Sequence, residues 1–87
     1  MRDLYKSVEK HLHTIHAFHT EPGDLSEDNF DCSVKYIVDA LPNLSIGQLR
    51  LVVIELRTIH QCSFREQKLV DSLKKLINDV ENFIQQQ

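Results

Sequence analysis

Leu69, Leu73, Leu76, Val80 and Phe83 recur at intervals of four, three, four and three residues. That spacing lays side chains along one stripe of an α-helix, and no strand can accommodate it. The same rhythm returns upstream. Leu4, Val8, Leu12, Ile15 and Phe18 predict a helix over about 2–18, and Phe30, Val34, Ile37, Val38 and Leu41 a second over about 27–41. A third over about 46–61 is apolar on nearly every side through Leu49-Arg50-Leu51-Val52-Val53-Ile54-Glu55-Leu56 and must be covered on more than one face. The last, about 64–84, has a second row in Val70, Ile77 and Ile84, so it has apolar surface for two packing partners. With two glycines and two prolines in 87 residues there is little material for hairpins. The expectation is an all-α protein: one domain over 1–87, a small three- to four-helix bundle of antiparallel helices.

Helix boundaries are marked as well. Thr20-Glu21-Pro22-Gly23 stops the first segment, Ser26 offers an N-cap for the second with Glu27 and Asp28 suited to the helix dipole, and Pro42 closes it. Ser45 with Gln48, and Ser63 with Glu66, have the spacing of capping boxes for the third and fourth.

A chain this short sits near the lower size limit for a self-sufficient core, and the apolar excess of the last two segments predicts a homodimer. Leu49, Val53, Leu56, Leu69, Leu73, Leu76, Ile77, Val80 and Phe83 are the expected core and dimer-interface residues. There is no uninterrupted run of 18 apolar residues and no apolar leader after Met1. A cytoplasmic protein with no membrane partner is therefore expected, and Cys32 and Cys62 read as buried or half-buried thiols rather than a disulfide.

The net charge of −3 argues against a protein built mainly to neutralise phosphates. Acidity is concentrated between Thr20 and Leu44, where Glu21, Asp24, Glu27, Asp28, Asp31 and Asp39 face a single base, Lys35. Asp24, Glu27, Asp28 and Asp31 are thus candidates for docking a basic target, although such a run is also what a solvated loop and helix start look like. Arg50, Arg57, Lys68, Lys74 and Lys75 form a weaker candidate for DNA contact, with acids interleaved.

His11, His13, His16 and His19 fall within nine residues, and His60 follows later. The spacing brings at most two imidazoles together on one helix surface, short of the ligand set of a structural zinc site, so no metal is expected. Protonation of all five would carry the molecule through neutrality, which makes them candidates for a pH response; as packing or solvated residues they would sense nothing. Neither a nucleophile–base pair nor a glycine-rich phosphate loop is present, and His60 and Cys62 are two apart on a helix, where side chains diverge. A non-catalytic binding protein without cofactor or small-molecule substrate is expected.

Phe18, Gly23-Asp24-Leu25 with Glu27, Ile37-Val38 and Leu41, Asn43-Leu44-Ser45 with Leu49, Leu56-Arg57-Thr58 and the run from Leu69 to Leu76 together resemble the small enterobacterial biofilm-development regulators of the YmgB/AriR kind, also described as two-component-system connector proteins. The likeness covers roughly 18–77 and consists of caps and core positions. The histidine-rich segment before it is longer and more regular than the family pattern. What the resemblance implies is a helical homodimer that regulates biofilm formation or acid resistance through a signalling protein or DNA. The alternative from the charge distribution is a sequestering inhibitor, such as an immunity or phage anti-defence protein, which caps a basic target with its acidic segment.

Overall fold

The computed structural model describes residues 4–21 and 27–87. Four helices account for most of them: α1 (Leu4–Thr20), α2 (Glu27–Ala40), α3 (Ile46–Cys62) and α4 (Gln67–Gln85), with a 3-10 turn at Leu41–Asn43. No strand occurs among the described residues. The proposed Ser26 cap, Pro22-Gly23 and Asp24 lie outside them.

In α1 the stripe Val8, Leu12, Ile15 and Phe18 is buried, and α2 buries Phe30, Ser33, Ile37 and Ala40 while Val38 turns outward. Pro42 does not stop the chain abruptly. It sits in the 3-10 turn, where its missing N–H is harmless, and Leu44 N–H closes onto the Leu41 carbonyl at 3.2 Å. At the start of α3 both halves of the capping box form: Gln48 N–H donates to Ser45 Oγ at 3.2 Å, and Ser45 N–H to Gln48 Oε1 at 3.0 Å. A cap of this kind contributes about 1 kcal/mol.

The second capping box does not form. α4 starts three residues later than its spacing predicts, with Glu66 as N-cap and no side-chain cap bond. Ser63 is instead the C-cap of α3 in extended conformation, and its hydroxyl is taken by Arg65 N–H at 3.2 Å and by His19 Nδ1 at 2.7 Å. With Ser63 still extended at the end of α3, its hydroxyl oxygen accepts from Arg65 N–H two residues on, and the box with Glu66 does not close.

α1 packs against α2 and α3, and α4 packs on α3 and more lightly on α2. Their inner faces form one apolar cluster. Leu49, Leu56, Leu69, Leu73, Leu76, Ile77 and Val80, expected to serve core and dimer alike, are all buried within the chain itself, with Val53 and Phe83 half-buried against them. The cysteines depart from expectation: Cys32 and Cys62 are both exposed and free, because each lies on the outer side of its helix. No described helix is long and apolar enough to cross a membrane.

Candidate functional site

α3 turns Leu49, Val52, Leu56 and Ile59 into the core. Its other apolar row has no cover: Leu51 is 50% exposed and Ile54 59%. A helix with apolar residues on opposite sides cannot bury both with neighbours on one side, and here α1 and α4 pack against the inner row. Leu51 and Ile54 form a ridge between two grooves. Against α1 the groove is lined by Tyr5, Glu9, His13, His16 and Glu55; against α4 it is lined by Arg50, Val53, Arg57, Glu81 and Ile84. The ridge therefore has an acidic and imidazole-bearing flank and a basic one. Burial, then Glu9 and Glu55, push the Tyr5 phenol up from its ordinary value.

The basic residues do not assemble into one patch. Arg57 forms an ion pair with Glu81 across α3 and α4, Lys75 reaches Asp79 at 3.6 Å, and Lys74 shares a shallow groove with Arg57, His60 and Glu81. Lys68 lies exposed on the first turn of α4, and Arg50 on α3. Of the acidic candidates, Glu27, Asp28 and Asp31 are exposed on the first turns of α2, and Asp24 is outside the described residues.

The five histidines do not share one environment. His11 stacks on Tyr36 at 4.2 Å and bonds Ser33 Oγ at 3.0 Å, and burial followed by Lys10 lowers its pKa. His13 is exposed and His16 half-buried, their near-parallel rings 6.3 Å apart; His60 is half-buried. Among the described residues no three His, Cys, Asp or Glu side chains are placed to hold a metal.

His19 stands apart. It is fully buried, edge-on to Phe18 at 5.2 Å and Phe30 at 4.8 Å. His19 Nδ1 and Ser63 Oγ share a hydrogen bond of 2.7 Å, and the same hydroxyl oxygen accepts the Arg65 N–H. The His19 Nε2 has no hydrogen-bond partner among the described residues. The His19 carbonyl accepts from Phe64 N–H at 3.1 Å, while Arg65 Nε donates to the Phe18 carbonyl at 2.6 Å with its guanidinium 4.3 Å above the Phe18 ring. Burial first, then the positive charge of Arg65, then His60, lower the His19 pKa to about 4. The sequence did signal this burial, since Val8, Leu12, Ile15 and His19 continue the four-three-four spacing more regularly than Phe18 does.

No family model, curated protein or solved structure matches the chain.

Proposed function

We propose that the chain is a non-catalytic regulatory interaction protein that acts as a homodimer of antiparallel-helix bundles, in the manner of the biofilm-development regulators it resembles. The observation that carries the reading is the uncovered ridge of Leu51 and Ile54. Two adjacent large aliphatic side chains in water, on a helix whose other face is already packed, support a surface that another macromolecule covers. The short connection from α3 to α4, which pack against each other, favours an antiparallel pair. Regulation through a protein partner is the better-supported route than DNA, because Arg57 and Lys75 each already have a carboxylate.

The test is sedimentation of the full chain from low to high micromolar concentration. Wild type should dimerise, and Leu51→Asp combined with Ile54→Asp should remain folded and become monomeric, because neither residue belongs to the core. A wild-type chain that stays monomeric at high micromolar concentration would sink the dimer.

A further inference from the structure

Gly47, Leu51, Ile54, Thr58 and Gln61 follow one another at four, three, four and three residues along the outer side of α3 and are all exposed. That is the phase of a coiled-coil seam two heptads long. At 100° per residue Arg50 and Arg57 fall on one flank of the seam, and Gln48, Glu55 and Cys62 on the other. Among the described residues, neither Arg50 nor Glu55 has an ion-pair partner in its own chain.

We infer that this face takes α3 of a second copy of the chain in parallel, with Arg50 of each protomer against Glu55 of the other. The inference rests on the homodimer reading above and adds its direction and register. In a parallel two-fold pair the basic flank of one helix meets the acidic flank of its partner, and a residue on the first flank faces the one five places further on in the partner helix. Arg50 meets the partner's Glu55 by that rule, and symmetry makes the contact twice. An antiparallel pair sets each flank against its own copy, so that the arginines face arginines and Glu55 faces the partner's Glu55. The charge pattern selects the parallel arrangement.

Gly47 fits the same account. Its backbone conformation is one that any residue adopts, and a Cβ added there would meet nothing nearer than Ser45 Oγ at 4.0 Å, so the chain's own fold does not require a glycine. At the end of a seam a missing side chain lets a second backbone come close. Arg57, which would face the uncharged Cys62 of the partner subunit, is the flank cation already neutralised by Glu81.

The experiment places a cysteine at Thr58 in the full chain carrying Cys32→Ser and Cys62→Ser, and oxidises it at a concentration where sedimentation shows assembly. In the parallel seam Thr58 lies beside its own copy, within the distance of about 7 Å that a disulfide tolerates, and most of the protein should become a covalent dimer. An antiparallel pair centred between Leu51 and Ile54 holds the two positions about 16 Å apart and gives none. Lys68→Cys, off the seam, controls for collisional cross-linking.

Arg50→Glu should weaken dimerisation roughly 10- to 30-fold, and adding Glu55→Arg should restore it to within about threefold. A dimer that fails to cross-link at position 58, or that tightens with Arg50→Glu, overturns the parallel seam and leaves the homodimer reading intact. An absence of any dimer overturns both. Leu51 and Ile54 at alternate seam positions also suit four-stranded assemblies, so a tetramer on sedimentation would overturn the two-fold pair.

Discussion

Leu73→Asp is expected to leave little folded protein at 25 °C, and Leu73→Ala to destabilise the fold by about 2 to 5 kcal/mol in urea unfolding. Leu73 is fully buried at the centre of the α4 stripe, between Leu69 and Leu76. A domain of this size has a stability on the order of 4 to 13 kcal/mol, so an unpaired carboxylate at this site removes much or all of it, whereas a cavity leaves a measurable remainder. The alanine variant keeps the test readable if the aspartate variant is never recovered folded. The contrast is Ile54→Asp, which should change stability by less than about 0.5 kcal/mol while abolishing assembly. On the proposed dimer, stability and assembly reside in different residues: the α4 stripe maintains the fold, and the outer row of α3 would mediate contact with a second chain. A shift below about 1 kcal/mol for Leu73→Ala would contradict this division.

Acidification is the second perturbation with a large effect. His19 is held neutral in the folded chain with a pKa of about 4, against about 6.5 when unfolded. Above pH 6.5 both states are neutral and the burial of the ring contributes in full. Between about 6.5 and 4 the unfolded chain takes up a proton that the folded one refuses, so stability falls with pH, by about 3 kcal/mol in total, and below 4 the loss is complete. Arg65 and His60 are the charged and titratable neighbours acting on it, and both oppose a second positive charge. His19→Gln retains an amide able to bond Ser63 but does not titrate. Urea midpoints measured at half-unit steps from pH 7.5 to 4 should converge for the two proteins as pH falls. Parallel curves would show that the His19 environment does not suppress protonation. His11, whose pKa is lowered in the same direction, stays in both proteins and cancels from the difference.

What could be read from the sequence was whatever depends on near neighbours along the chain. The stripes of α1 and α4 and the Ser45–Gln48 box need residues three or four apart and nothing else, and they are where their spacing places them. Ser63 and Glu66 have the same spacing and a different fate: Ser63 stays extended as the C-cap of α3, and its hydroxyl is contested by Arg65 N–H and by His19, 44 residues away. Local pattern has no access to that contest. α3 posed a different difficulty: with apolar residues in two rows, periodicity cannot say which row the neighbours cover, and the choice of Leu49, Val52, Leu56 and Ile59 as the inner row was settled by packing. The cysteines were placed inside on the general tendency of free thiols, against which the helix phase of Cys32 and Cys62 prevailed. The flank charges Arg50 and Glu55 were visible from the start, but acquire meaning only once the ridge between them is known to be bare.

The tie between the end of α1 and the turn before α4 joins residues more than forty positions apart, through Ser63, Phe64 and Arg65. The hairpin of α3 and α4 closes only a short loop, whereas this junction closes one of more than forty residues. An interaction that forms only after the folding barrier governs how long a folded molecule survives and leaves the speed of its formation almost untouched. If the junction of His19, Ser63 and Arg65 forms at that stage, it acts on the lifetime of the native state: His19→Gln is then expected to fold as fast as the wild-type chain and to unfold faster in denaturant-jump kinetics.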